Sequence, residues 1–135
     1  PMGAADMKPR SLLSRYLLGC CLAHWTIAAA EEPAALYTRL CAGCHAQGPT
    51  ALADSPYPPL FGNPKIAAGG PAFVAFKALQ GAGNMFPFCG FATDAEVAAV
   101  SNYLADANGS HVQPLDSPNT AALRPALGDC ATSDD

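Results

Sequence analysis

The pentapeptide Cys41-Ala42-Gly43-Cys44-His45 constrains the rest of this chain more strongly than any other segment. Its pattern, Cys-x-x-Cys-His, is that of a c-type haem attachment site. Two cysteines at this spacing lie about one helical turn apart, so both thiols can add to the two vinyl groups on one edge of a porphyrin. The histidine that follows is then held beneath the ring with a nitrogen directed at the iron. The motif predicts one haem c, covalently attached through Cys41 and Cys44, with His45 as an iron ligand.

Two other chemistries use closely spaced cysteines. A dithiol redox site normally lies where a strand enters a helix, but no buried strand is predicted before Cys41. Structural zinc usually needs a second pair of ligands at similar spacing, whereas Cys89 and Cys130 are 41 residues apart. Haem attachment is therefore the preferred interpretation. Because a haem carries the redox chemistry and the protein tunes it, the expected function is one-electron chemistry.

Residues 1–30 have the order of an export signal. From Met7 a basic start precedes an apolar run over residues 16–30 that ends in three alanines. This run is shorter than the about 20 residues that cross a bilayer, and it contains His24. We therefore expect a leader with a signal peptide in 1–30 and no membrane span in the mature chain. A retained anchor and lipidation at Cys20 are the alternatives. Since haem c is attached outside the bacterial cytoplasm, export also predicts a periplasmic location.

The remaining residues are the size of one small domain. Residues 31–135 carry four basic and ten acidic side chains, a net charge of −6. We predict a monohaem domain over 31–127 and an acidic tail over 128–135. Nucleic acid is an improbable partner for such a surface. A redox partner would meet it through a basic patch or at a largely uncharged haem edge.

Two helices are predicted on either side of a proline-rich loop. The first spans Pro33–Leu40, because proline is favoured at the opening position and the apolar residues that follow share one face. Residues 47–62 are broken repeatedly by proline and glycine and are predicted to be loop. The second helix spans Pro71–Gln80 and ends at Gly81. Another irregular stretch follows it.

The last predicted helix has the clearest signals. Thr93 and Glu96 form a capping box, and Gly109 is a natural stop. Its buried face repeats at steps of three and four residues: Val97, Val100, Tyr103 and Leu104. Since no strand is predicted, the fold class is all-α, with three to four helices and long loops wrapped around one covalent haem. Such a chain would have a poor core by itself, and a buried porphyrin would supply the missing apolar interior.

The second iron ligand has two candidates in the mature chain, Met85 and His111. Met85 lies in a glycine-rich loop 40 residues beyond His45, which is enough chain to reach the other face of the haem. A methionine can also simply fill a core gap, and His111 is more typical of a solvated loop. Met85 is the preferred ligand. A His/Met iron lacks an open coordination site, which favours electron transfer, and the thioether raises the reduction potential relative to two histidines.

The chain resembles class I cytochromes c, specifically the domains that accept electrons in membrane-associated periplasmic dehydrogenase complexes. The resemblance runs from about Pro33 to Arg124, and its motifs are specific when they occur together. It rests on five segments: Ala35-Leu36-Tyr37 with the Cys41–His45 motif, Tyr57-Pro58-Pro59-Leu60-Phe61-Gly62-Asn63-Pro64, Met85-Phe86-Pro87-Phe88, Thr93-Asp94-Ala95-Glu96-Val97 with Asn102-Tyr103-Leu104, and Asn119-Thr120-Ala121-Ala122-Leu123-Arg124.

The resemblance implies roles for individual residues. The Pro58 carbonyl would accept the second ring N–H of His45, and Tyr37 and Tyr103 would meet where the first and last helices cross. The implied haem-binding set is Cys41, Cys44, His45, Tyr57, Pro58, Leu60, Met85 and Phe88, with His45 and Met85 as the metal ligands. This chain departs from the family's usual pattern in two places. Pro33 replaces a glycine at the helix crossing, and Phe86 separates Met85 from the proline that usually follows directly.

Two cysteines of the mature chain are not explained by haem attachment. A Cys89–Cys130 disulfide would hold the tail over the methionine loop in an oxidising compartment. Free thiols and intermolecular pairing are the alternatives, because the distance between the two sulfurs cannot be read from the sequence.

The predicted function is that of a periplasmic one-electron carrier and not an enzyme. It would pass electrons from a periplasmic dehydrogenase to an oxidase or another cytochrome. One alternative is a haem-based gas sensor or ligand-binding protein in which Met85 leaves the iron readily. A haem-free thiol oxidoreductase using Cys41 and Cys44 is the other.

Overall fold

The computed structural model describes residues 30–48, 50, 55–124 and 126–127. Residues 1–29 of the predicted leader, Cys130 and the acidic tail over 128–135 lie outside these residues. The described chain forms five helices: α1 (Pro33–Leu40), α2 (Ala42–His45), α3 (Pro64–Gln80), α4 (Asp94–Ala107) and α5 (Ser117–Ala121).

The prediction of an all-α protein with long loops is confirmed. Over the described residues the only β-type pairing is an isolated bridge between Ala82 and Met85. Five helices are present where three to four were expected, because α2 and α5 are short segments of four and five residues. None of the helices in the described ranges is both long and apolar enough to cross a membrane.

Helix α1 has the bounds that its sequence predicts, with Pro33 in its first turn. Leu36 and Tyr37 are buried on one face. The Tyr37 ring lies 6.1 Å from that of Tyr103, centroid to centroid, so α1 and α4 meet at these two tyrosines as expected. The Tyr37 hydroxyl donates to the carbonyl of Ala46. Burial, with smaller contributions from Cys41 and Tyr103, raises the pKa of Tyr37 to about 12, so this donor stays protonated at neutral pH.

Helix α3 begins seven residues earlier than predicted. It contains two helical segments separated at Gly70, whose φ of 64° and ψ of −163° are not helical. The second segment starts at Pro71, as expected, but the prediction was wrong in leaving out the first. That segment forms because the Asn63 side chain accepts from the backbone N–H of Lys65 at 3.0 Å and Pro64 follows the cap.

Helix α4 confirms the predicted capping box. The Thr93 hydroxyl accepts from the Glu96 N–H at 3.2 Å, and the Glu96 carboxylate accepts from the Thr93 N–H at 2.8 Å. The apolar stripe of this helix is buried at Val97, Val100 and Leu104. The helix therefore lies against the core through the face that its sequence pattern indicates.

The buried apolar residues form two clusters. Their buried members are Ala75, Leu79, Phe88, Ala92 and Val97 in the first, and Leu36, Tyr37, Val100 and Leu104 in the second. Residues of both clusters also line one large cavity. The fold thus leaves an apolar space that is bordered by members of both clusters.

The C-terminal segment returns across α4. The Asn102 side chain donates to the carbonyl of Leu115 and accepts from its N–H, both at 2.8 Å. Asp116 then caps α5 by accepting from the N–H of Asn119 at 2.8 Å. These contacts direct the residues after α5 back towards the start of α4.

Candidate functional site

The cavity has a volume of about 620 Å³. This is within the range of about 300–1,000 Å³ that is usual for small-molecule and cofactor sites. All eight side chains of the predicted haem-binding set line it: Cys41, Cys44, His45, Tyr57, Pro58, Leu60, Met85 and Phe88. The fold therefore brings together residues that are up to 47 positions apart in the sequence.

The donor set of the cavity fits haem c. Cys41 and Cys44 are free thiols, as covalent attachment requires, and an imidazole and a thioether line the same space. Much of the remaining lining is apolar: Leu40, Ile66, Phe73, Val74, Ala78, Ala92, Val97, Val100 and Leu104. An apolar cavity with two thiols and two axial-type donors suits an iron porphyrin better than a hydrated metal ion.

The haem-attachment motif is held at the junction of α1 and α2. The Cys41 N–H donates to the carbonyl of Tyr37 at 2.9 Å, and α1 ends at Cys41, whose φ of −122° is not helical. The His45 N–H donates to the carbonyl of Cys41 at 2.9 Å within the next turn. Burial, then the nearby Cys44, raises the pKa of the Cys41 thiol to about 11, so that this thiol is protonated at neutral pH.

Ala46 turns the chain away immediately after the motif. With a φ of 67° and a ψ of 160° it is the one non-glycine residue of the described ranges with a positive φ, a conformation that costs about 1–3 kcal/mol for an alanine. Ala46 is buried, and its carbonyl accepts the Tyr37 hydroxyl. This buried hydrogen bond helps to hold the strained residue, and the motif predicted nothing about it.

The imidazole of His45 has one nitrogen already engaged. Its Nδ1 lies 2.8 Å from the carbonyl oxygen of Pro58. Because a carbonyl can only accept, Nδ1 carries the proton and Nε2 retains a free lone pair. This is the contact that the resemblance implied. It orients the ring and increases the basicity of Nε2 as a ligand.

Asn108, at the end of α4, anchors the proline loop from the other side. Its side chain accepts from the Asn63 N–H at 2.6 Å and donates to the carbonyls of Leu60 and Leu104 at 2.8 and 2.7 Å. The sequence analysis missed this role. The available signal was a polar side chain at the helix end directly before Gly109.

Met85 lies in a tight turn that the two glycines Gly81 and Gly83 make possible. Both have positive φ, 75° and 58°. Ala82 and Met85 exchange two backbone hydrogen bonds of 3.1 and 3.0 Å. By contrast, the other candidate ligand, His111, is exposed and does not line the cavity.

The basic side chains of the described residues divide into two groups. Arg39 is paired with Glu31 and Glu96, and Arg124 is paired with Asp94. Lys65 and Lys77 are exposed and line the cavity. Positive charge at the edge of an apolar cavity suits the two carboxylates of a haem. These lysines were not predicted as site residues, since nothing local marks them.

Aromatic side chains form an exposed patch beside Met85. Phe86 and Phe91 are 59% and 53% exposed, and Phe88 is buried beneath them. The ring centroids lie 4.9–5.4 Å apart. Residues 81–92 contain no charged side chain, so this side of the cavity presents an uncharged surface.

Cys89, in the same region, is disulfide-bonded. Cys41 and Cys44 are both free, and the partner of Cys89 lies outside the described residues. Pairing with Cys130 therefore stays a prediction.

Comparison with known proteins gives one match. A family model described as "Cytochrome C oxidase, cbb3-type, subunit III" matches residues 28–104. No curated protein and no solved structure matches the chain. The matched range contains the Cys41–His45 motif and Met85 and ends within α4. Asn108 and Arg124 lie beyond it.

Proposed function

The chain belongs to the c-type cytochrome family described as cytochrome c oxidase, cbb3-type, subunit III, and we propose that it is an exported one-electron carrier with His45 and Met85 as axial ligands. Family membership identifies a class I monohaem c-type cytochrome with a small all-α fold. It indicates haem-based electron transfer between redox partners rather than catalysis, and domains of this kind are typically exported. The ligand pair, the location and the partners form the proposal.

The observation that carries the proposal is the composition of the cavity. Two free thiols, an imidazole with its Nδ1 engaged and a thioether all line one apolar space of about 620 Å³. A bound haem would supply an iron that alternates between the ferric and ferrous states. Cys41 and Cys44 would hold the group covalently, and His45 and Met85 would occupy both axial positions. With both ligands supplied by the chain, no open coordination site would remain for oxygen, which favours electron transfer.

The chain's own residues determine how the ligands behave. Pro58 holds His45 in the tautomer that leaves Nε2 free. Met85 contributes a neutral donor from a short turn closed by the Ala82–Met85 hydrogen bonds. With a haem bound, the apolar walls would exclude water from its surroundings, which would limit the reorganisation that accompanies a change in charge. Lys65 and Lys77 would balance carboxylates at the cavity edge.

The partners proposed are a periplasmic dehydrogenase as donor and an oxidase or another cytochrome as acceptor. The exposed ring of Phe86 lines the cavity, and the exposed ring of Phe91 lies 5.4 Å from it within the same uncharged segment. Residues 31–135 carry a net charge of −6, but none of the charged side chains lies in residues 81–92, which hold the patch. We therefore expect association through this aromatic patch to depend weakly on ionic strength, since salt screens charged contacts and not apolar ones.

We also propose the domain boundaries: a leader in 1–30, the monohaem domain in 31–127 and a tail in 128–135.

The test uses the visible spectra of the oxidised and the reduced protein. The protein is exported and expressed together with haem c maturation machinery. The oxidised protein is expected to show the weak far-red charge-transfer band of a methionine–ferric iron bond. Met85→Ala should abolish this band, whereas the adjacent Phe86→Ala should retain it. Absence of covalent haem would contradict the haem proposal and favour a thiol oxidoreductase. A high-spin spectrum that shifts with carbon monoxide would contradict the ligand pair and favour a gas-binding protein.

A further inference from the structure

Arg124 is a buried cation in a part of the chain that the family match does not reach. It follows α5, and the residue is 5% exposed. A buried guanidinium is costly unless its donors are satisfied and its charge is paired. Its partners therefore show what this side chain does in the fold.

Each nitrogen of the Arg124 guanidinium makes a hydrogen bond. Nε donates to the Asp94 carboxylate at 2.7 Å, Nη1 to the carbonyl of Cys89 at 2.9 Å, and Nη2 to the carbonyl of Ala92 at 3.2 Å. The rigid planar group thereby joins the turn over residues 88–92 to the first residue of α4. The planar fork of an arginine matches three acceptors spread around its edge, whereas the three donors of a lysine diverge from a single nitrogen.

The turn over residues 88–92 is the downstream anchor of the Met85 loop. It begins three residues after Met85, and the Phe88 N–H donates to the carbonyl of Ala78 on α3 at 2.9 Å. The backbone carbonyl of Phe88 in turn accepts from the N–H groups of Phe91 and Ala92 at 3.2 and 3.0 Å. Phe88 and Ala92 also line the cavity. Movement of this turn would therefore shift the chain that carries Met85.

The C-terminal segment holds Arg124 in place by contacts of its own. The Asn102–Leu115 pair fixes its path over α4. Thr120 is fully buried, and Leu123 and Leu127 pack against the cluster that contains Phe88 and Ala92. Arg124 thus connects an independently anchored segment to the turn beyond Met85.

We propose that Arg124 is a positioning residue for Met85: it immobilises the downstream end of the methionine loop and so limits dissociation of Met85 from the iron. The inference rests on the proposed His45/Met85 ligation. Without the three hydrogen bonds the turn would open locally at lower free energy. An external ligand would then reach the iron more often.

The experiment measures cyanide binding to the ferric holoprotein, which is limited by departure of the methionine. Arg124→Gln is compared with Arg39→Gln, because Arg39 forms only exposed ion pairs, with Glu31 and Glu96. We expect the binding rate to rise about tenfold in Arg124→Gln, equivalent to about 1.4 kcal/mol, and to change less than about twofold in Arg39→Gln. Arg124→Lys should lie between Arg124→Gln and the wild type.

Asp94→Asn supplies a milder variant in case Arg124→Gln does not fold. It leaves the two carbonyl contacts of Arg124 and removes only the charge partner, so a smaller increase in rate is expected. Equal cyanide rates in the wild type, Asp94→Asn and the foldable Arg124 variants would overturn the role of Arg124. In that case the far-red band of the wild type would still support Met85 as ligand. A wild type without a Met85-dependent band would overturn both proposals.

Discussion

The hydroxyl of Tyr57 donates to the carbonyl of Asn84 at 3.2 Å and joins two loops that border the cavity. Tyr57 directly precedes Pro58, which holds His45, and Asn84 directly precedes Met85. One hydrogen bond therefore connects the chain behind one proposed ligand to the chain behind the other. The cavity edge is closed by backbone and side-chain contacts as well as by the α-helical core.

Tyr57→Phe tests this closure. The variant keeps the aromatic ring in the cavity wall and removes one partly exposed hydrogen bond, so we expect a loss of about 0.5–1.5 kcal/mol in the free energy of unfolding. Urea denaturation of the holoprotein measures it. The matched control is Tyr103→Phe, because the Tyr103 hydroxyl makes no hydrogen bond with the described residues. Equal losses in the two variants would show that the Tyr57–Asn84 bond contributes nothing specific.

Gly81→Ala should disturb the methionine loop directly. Gly81 has a φ of 75°, and a Cβ there would lie 2.6 Å from the carbonyl oxygen of Met85. We expect a loss of about 1–3 kcal/mol in stability, accompanied by weakening of the far-red methionine band. Gly90→Ala is the control at the other end of the loop, because a Cβ there meets nothing within 4 Å. An intact band in Gly81→Ala would show that the loop adjusts without moving Met85.

Asn108→Ala should be the most destabilising of these substitutions. It removes three hydrogen bonds, of 2.6, 2.8 and 2.7 Å, and leaves the Asn63 N–H and the Leu60 carbonyl without this partner. We expect a loss of about 2–3 kcal/mol, at the upper end for unsatisfied groups. Asn119→Ala, an exposed position in α5, should change stability by less than about 0.5 kcal/mol. Denaturant unfolding measures both variants. Equal unfolding midpoints for Asn108→Ala and Asn119→Ala would contradict the role of Asn108.

Glu96 should make stability depend on pH. The Thr93 N–H hydrogen bond, followed by contacts with Arg39 and the Thr93 hydroxyl, lowers the pKa of Glu96 below its ordinary value of 4.5. A carboxyl whose pKa is lowered by folding stabilises the protein above the unfolded pKa, and this contribution is lost as the pH falls through the folded pKa. Glu96→Gln should therefore be less stable than the wild type at pH 7, and the difference should shrink as the pH falls below 4.5.

Thermal unfolding at several pH values measures this difference. Asp106→Asn is the control, because Asp106 is exposed near the end of the same helix and its carboxylate makes no hydrogen bond or ion pair with the described residues. Any difference in stability between Asp106→Asn and the wild type should be the same at pH 7 and in acid. A constant gap between Glu96→Gln and the wild type would show that Glu96 acts through its shape and not through its charge.

Local signals in the sequence were sufficient for much of the fold. Pro33 and the Thr93–Glu96 pair mark helix starts through contacts within one turn, so α1 and the capping box were predicted correctly. The first segment of α3, over residues 64–69, was missed, although it joins the predicted second segment at Gly70. The break itself has a local cause, because Pro71 disfavours helical backbone at Gly70, and the close approach of Val112, 2.5 Å from a Cβ built at Gly70, comes in addition. No pattern near Gly70 reveals this neighbour.

The chemistry of the proposed site could be read from the chain because it depends on spacing. Two thiols at this spacing can reach one porphyrin edge with the next histidine beneath the ring, whatever the rest of the fold does, and Met85 was selected because few other donors exist in the mature chain. The positions of Asn108 and Arg124 depend instead on carbonyls 4 to 48 residues away. Backbone carbonyls are the same at every residue, so which ones a side chain reaches is decided only when the helices pack.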